Sequence, residues 1–253
     1  MQFRTRPRFR CEKPIISQNE IGRWRASCIL PQSHLQSWHS LSLIETSMRE
    51  PYNVSINPLV YCLAFISGFI IMSVELLGGR ILSPYFGNSI YVWGSVITVF
   101  MVSLSIGYLV GGKLSLYQVS LRRYGLFFII AATALLPTIM LGEKILDAVF
   151  LRVEDPRYGS LLASTLIFLV PTALLGMIAP YSVRLLVENT NHSGHVAGRL
   201  YFVSTLGSAL GTLGTSFYFV LYFEVNQILT TMVVILLSAG IVSIAAHQVA
   251  RSE

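Results

Sequence analysis

The group best placed to do chemistry is the carboxylate of Glu75, because it stands inside the long apolar run "SGFIIMSVELLGGRILSPYFGNS". An ionisable side chain within a membrane span costs roughly 2.5–3.5 kcal/mol on insertion scales, so it pairs, binds something or reaches the interface. Arg80 is the nearest opposite charge, five residues on, and the intervening Gly78 and Gly79 offer a backbone that can bend to bring the two together. Three readings stand open for Glu75: a structural ion pair with Arg80, a transport or ligand-binding carboxylate, and an acid that snorkels to the interface. Tyr85, Tyr91 and Trp93 follow in "SPYFGNSIYVWG", where Pro84 and Gly87 predict a break and an ordered external hairpin between two helices. Amphipathic aromatics there suit an interface belt, the commoner use, or a cage for a cationic ligand. Other constellations are absent from the sequence. His192 and His195 lie in "NTNHSGH", which reads as a flexible turn without an acid between them, and Cys11, Cys28 and Cys62 show neither disulfide nor metal-ligand spacing. No metal site, cofactor motif or nucleophile–base pair is predicted, so an enzyme in its own right has the least support.

The elements that position Glu75 follow from composition. Of 253 residues, 53% are hydrophobic and 12% charged, about half the charge of an ordinary soluble domain. Such a chain cannot cover its surface in water but can face lipid tails. Stretches free of Asp, Glu, Lys and Arg run over 51–74, 81–112, 124–142, 158–183, 200–223 and 225–250. Each approaches or exceeds the ~20 helical residues that cross a bilayer. They predict helices near 57–78, 89–112, 124–142, 160–182, 200–222 and 228–249. Segments such as "TTMVVILLSAGIVSIAAH" are apolar all round, and no strand-like alternation appears. The expected fold class is all-α: a polytopic transmembrane bundle of about six spans in the lipid bilayer, over residues 48–253.

Residues 1–47 have no long apolar run and begin with Arg4, Arg6, Arg8 and Arg10. They are expected to be a basic, disordered extension, or to precede a natural start at Met48. The net charge of +6 comes largely from this segment and from short loops, a pattern of membrane surfaces rather than of nucleic-acid binding. Lys113, Arg122 and Arg123 make the second loop basic, which predicts that it and both termini are cytoplasmic and that the 143–158 loop is external. Two helices carry small residues at fourfold spacing: Ser95, Ser103, Gly107 and Gly111 in one, and Gly207 and Gly211 beside Ser204, Ser208, Thr212 and Ser216 in the other. Such rows let backbones approach closely. Pro137, Pro171 and Pro180 predict kinks in the third and fourth spans.

Taken in order, "SGFIIMSVELLGGRILSPYFGNSIYVWGSVITVFMVSLSIGYLVGGKLS", "PTALLGMIAPYSVRLL" and "AGRLYFVSTLGSALGTLGTSF" resemble the membrane domain of bacterial membrane-bound spermidine-synthase-like proteins, the fused major-facilitator/spermidine synthase type. The resemblance covers about residues 58 to 225. It implies counterparts for Glu75 and Arg80, for the Pro84–Gly87 stretch, for the Gly107–Lys113 helix end and for the Gly198–Tyr201 entry, and a place in the bacterial inner membrane. "GYLVGGKLS" is also similar to the loop after the second helix of major-facilitator transporters, whose half-unit has six spans. Relatives of this type continue into a cytoplasmic aminopropyltransferase-like domain of Rossmann type, with a Gly-rich turn and acidic residues for the amines and decarboxylated adenosylmethionine. No strand followed by a Gly-rich turn and a helix occurs in these 253 residues, so aminopropyl transfer is not expected of them. Two functions follow. One is a membrane module that anchors or serves a separate aminopropyltransferase-like protein. The other is a small-solute or polyamine transporter, acting alone or as a homodimer of six-helix halves.

Overall fold

The computed structural model describes residues 57–117, 119–187 and 193–252. The chain divides into two units, Met1–Pro51 and Tyr52–Glu253, and every described residue belongs to the second. The expectations for residues 1–47 and Met48, and for His192, lie outside the described residues. The elements are α1 (Asn57–Phe86), α2 (Ile90–Leu114), α3 (Leu121–Phe150), α4 (Pro156–Gly176), α5 (Ile178–Leu186), α6 (Ser193–Gly214), a π-helical turn (Thr215–Phe219), α7 (Val220–Tyr222) and α8 (Val225–Ser252). Among the described residues there is no strand, and the architecture is an all-α bundle.

Five segments are long and apolar enough to cross a membrane: Asn57–Phe86, Ile90–Leu114, Leu121–Phe150, Pro156–Leu186 and Val225–Val249. The segment predicted as the fifth of six spans is not among them, because its glycines, serines and threonines dilute its hydropathy. It nevertheless forms one uninterrupted rod from Ser193 to Tyr222 through the π-helical turn. Its direction follows from contacts. Gly207 meets the Phe65 carbonyl and Gly211 the Phe69 carbonyl, so α6 runs parallel to α1. Ser95 meets Ser160 and Gly107 meets Ala173, so α2 runs parallel to α4. Leu121 meets Ser243 and Gly125 meets Gly240, so α3 and α8 are antiparallel. Five alternating crossings would make the third and the last parallel. Their opposite directions require that the 193–222 rod also traverses the bundle. Both ends of the described region therefore lie at one face, here the entry end, with the α2–α3 and α5–α6 connections.

These three helix pairs are held by missing side chains. A Cβ on Gly207, Gly211 or Gly68 would overlap a carbonyl oxygen of the partner helix, as would one on Gly107. A Cβ on Gly111 would stand 2.6 Å from the Met177 oxygen, and one on Gly125 would stand 2.5 Å from the Gly240 oxygen. Backbones that touch this way gain dispersion contacts and allow cross-helix hydrogen bonds. Ser208 Oγ donates to the Gly68 oxygen (3.2 Å), and Ser73 Oγ to the Gly211 oxygen (3.4 Å).

Local chemistry sets the ends and breaks. Ser120 Oγ caps α3 by accepting from Arg122 N (3.2 Å); Asp155 Oδ1 caps α4 by accepting from Arg157 N (2.9 Å), with Pro156 in the first turn. The fourth span breaks at Met177 because Pro180 lacks the N–H that would bond the Gly176 oxygen. Pro171 likewise frees the Ile167 carbonyl, which accepts from Thr138 Oγ1 at 3.4 Å. Three expectations are corrected. The hairpin around residues 83–94 is almost entirely helix, with only Gly87–Ser89 between α1 and α2 and Gly87 at φ +81°. The loop expected at 143–158 shrinks to 151–155, because Leu146 and Val149 remain buried and carry α3 two turns past its last charge-free residue. His195 lies in the first turn of α6 rather than in a loop.

Substituting Gly207→Val or Gly107→Val is expected to cost about 1–3 kcal/mol by overpacking. Gly112→Ala, with nothing within 4 Å of the added Cβ, is expected to leave stability unchanged or raise it slightly. Thermal unfolding in detergent measures the contrast.

Candidate functional site

Glu75 faces the interior of the bundle and is 9% exposed. It lies one turn before Gly78, where an added Cβ would stand 3.2 Å from the Phe168 ring of α4 and 3.5 Å from Val96 of α2. Residues three and four apart share a helix face, so Glu75 lies on the face of α1 that Gly78 and Gly79 pack against α4 and α2. On α4, Ser164, Phe168 and Thr172 form one stripe at fourfold spacing. Because α4 runs opposite to α1, Thr172 and Glu75 both lie toward the entry end from the Gly78–Phe168 contact. Ser164 Oγ and Thr172 Oγ1 are fully buried without a hydrogen-bond partner. Most helical serines and threonines here bond a carbonyl one turn back, as Ser73, Ser103 and Ser182 do. Each of these orphaned hydroxyls carries a desolvation cost of about 1–3 kcal/mol; Thr172 lies one turn from Phe168 toward the entry end and Ser164 one turn toward the far end.

Arg80 does not pair with Glu75. α1 continues unbent through Gly78 and Gly79, and the two charges end on different sides of the helix, Glu75 buried and Arg80 exposed. The glycines serve packing instead: Gly78 admits Phe168, and Gly79 admits the Trp93 ring, whose Cη2 would lie 2.7 Å from an added Cβ. Arg80 borders two clefts at the far end of the bundle. The first, about 290 Å³, has Asn88, Trp93, Thr215 and Ser216 in its lining. Trp93 Nε1 donates to Asn88 Oδ1 at 2.7 Å, which fixes the indole across the cleft mouth. The third buried, unpartnered hydroxyl, Thr215 Oγ1, is here, in the π-helical turn. Such turns often mark functional sites because they displace one residue out of register. The second cleft, about 370 Å³, is bordered by Tyr85, Glu143, Glu224 and Asn226. Two carboxylates and an amide can accept from an ammonium group there, in competition with the Arg80 guanidinium that lines the same cleft.

The aromatic cage is not assembled. Tyr85 stacks edge-on with Phe150 (6.2 Å) and borders the second cleft, Trp93 borders the first, and Tyr91 lies under the Arg157 guanidinium at 4.3 Å. Sequence reasoning missed Thr215, Glu143 and Glu224. Glu143 was read only as loop charge, Glu224 was not singled out, and no local pattern marks a π-helical turn. Among the described residues no group of three His, Cys, Asp or Glu side chains stands together to hold a metal, and Cys62 is exposed on α1.

Comparisons with protein-family models, with curated proteins and with solved structures found no match. The class rests on the molecule itself: a multi-pass α-helical membrane protein with a buried carboxylate in its interior and two clefts at one end.

Without an ion pair between them, Glu75 and Arg80 are expected to contribute independently. The stability changes of Glu75→Gln and Arg80→Gln should add to within ~0.5 kcal/mol in the double mutant. A double-mutant cycle in detergent checks this, and strong coupling would restore the ion pair.

Proposed function

We propose that the chain is an integral membrane module of the spermidine-synthase-like type, set in the bacterial inner membrane and serving a separate, soluble aminopropyltransferase-like protein. The observation that carries this reading is the segregation of charge. Lys113, Arg122, Arg123, Arg184 and Arg199 lie at the entry end, with no acid among the described side chains there. The far end holds Glu143, Asp147, Glu154, Asp155 and Glu224 against Arg80, Lys144, Arg152 and Arg157. Basic short loops are retained on the cytoplasmic side, so the entry end faces the cytoplasm and both termini with it. A cationic face there complements an acidic surface on a soluble protein. Relatives of the resembled type carry their soluble domain on this side, which also supports the reading.

Orientation and partnership are tested separately. A Cys at Ser115 should resist an impermeant external reagent and one at Asp155 should react; the reverse pattern removes the cytoplasmic face on which the proposal stands. A soluble aminopropyltransferase-like protein should then co-purify from native membranes at low salt and be released as salt screens the contact.

A second reading is that the module handles a small solute of the polyamine type, alone or as a homodimer. It is favoured by the cleft that Glu143 and Glu224 border and by the buried carboxylate of Glu75. Under it, Glu75→Gln and the Glu143→Gln/Glu224→Gln pair should each cut spermidine uptake into proteoliposomes by about tenfold or more while the protein still folds, as expected where buried ionisable groups form the pathway. Uptake that all three carboxamides leave intact would exclude this route.

A further inference from the structure

We propose that the hollow between the start of α3 and the end of α8, at the entry end, holds the phosphate of an anionic phospholipid. It measures about 770 Å³ and is separate from the far-end clefts. Its rim is polar: Ser120, Arg122 and Arg123 come from α3 and its cap, His247 and Gln248 from α8. Its deeper wall is apolar, made by Leu126 and Ile244. The walls are held in place, because Gly125 lies against the Gly240 backbone and Ser243 Oγ donates to the Leu121 oxygen at 2.9 Å.

Two adjacent guanidinium groups and an imidazole present many N–H donors, and guanidinium forks match phosphate oxygens in pairs. The order of chemistry along the groove then separates a lipid from free phosphate. Arg122, Leu126 and Ile130 share one face of α3 at fourfold spacing, and Leu126 and Ile130 are 47% and 38% exposed. On α8, Gln248, Ile244 and Ile241 descend in the same way, with Ile241 61% exposed. From the rim inward, the surface therefore passes from cationic to apolar within one or two helical turns. A phospholipid has this sequence of headgroup and acyl chain, and basic pockets between spanning helices take anionic headgroups for the same reason. The inference depends neither on a soluble partner nor on a transported solute.

The test uses the full chain, purified and delipidated in a neutral detergent. Native mass spectrometry and thermal unfolding are followed as phosphatidylglycerol, phosphatidylcholine or inorganic phosphate is added. Phosphatidylglycerol should bind and raise the unfolding temperature, with phosphatidylcholine and inorganic phosphate weaker. The Arg122→Gln/Arg123→Gln pair should weaken phosphatidylglycerol binding by about tenfold or more, since each surface cation contributes about 1 kcal/mol to anionic-lipid attraction. The control pair Lys113→Gln/Arg199→Gln removes the same charge from the same end outside the hollow and should keep binding near wild type. Equal weakening by both pairs would reduce the site to diffuse surface charge and overturn the proposal. Equal stabilisation by inorganic phosphate, or no preference for phosphatidylglycerol over phosphatidylcholine, would overturn it too. Should the arginine pair fail to fold, His247→Ala/Gln248→Ala carries the same comparison.

Discussion

The structure depends on backbone-to-backbone contact at glycine. Lipid tails are as apolar as leucine, so burying apolar side chains drives little association between spanning helices, and close packing must supply the attraction. Gly68 with Gly207 and Gly211, Gly107 with Gly111, and Gly125 with Gly240 each bring two helices to carbonyl contact. These contacts fix three helix pairs, their relative directions and their depth along one another. Everything further in is a consequence of that register. The same economy of space appears between α1 and α4, where the missing side chain of Gly78 admits the Phe168 ring.

The interior also shows how a membrane bundle handles polar atoms. Most hydroxyls return to their own helix, and a few stitch helices together, as between Tyr124 and Ser182 (2.7 Å) and between Ser95 and Ser160 (3.1 Å). Tyr181 accepts from Ser120 N and donates to Ser120 O, tying α5 to the α3 cap. In hydrocarbon an unpaired polar group has no water to turn to, so each pairing saves a desolvation cost. Against that economy, Ser164, Thr172 and Thr215 stand out as buried hydroxyls without partners. Two of them lie on α4, either side of Phe168, and the third lies in the first cleft. Each carries a desolvation cost that the packing of the surrounding helices must offset.

Charge is sorted by end rather than paired. The entry end is uniformly basic among its described side chains, and the far end mixes acids and bases around two clefts. Like charges gathered at one end repel one another, whereas the mixed charges of the far end can balance. The bundle thus presents two different chemistries to the two sides of the membrane, on one helical scaffold.

Helix class, membrane residence, the small-residue rows and the exceptional position of Glu75 were legible in the sequence. Each depends on the composition of a local window, and the need to satisfy backbone groups in lipid leaves helices as the only solution for such windows. Where helices end was less legible: absence of charge marks the hydrocarbon layer, while α3 runs on through Glu143, Lys144 and Asp147 because Leu146 and Val149 stay buried. A crossing by residues 200–222 was predicted from a charge-free run, yet its hydropathy alone falls short, and the antiparallel packing of α3 on α8 decides it. Tertiary structure alone separated Glu75 from Arg80, because a continuous helix turns residues five apart onto different faces and the two glycines were needed for Phe168 and Trp93. It alone joined Arg122 to Gln248 and Glu143 to Glu224 across more than eighty residues, since which helix faces which is set by packing over the whole bundle and leaves no local trace in the chain.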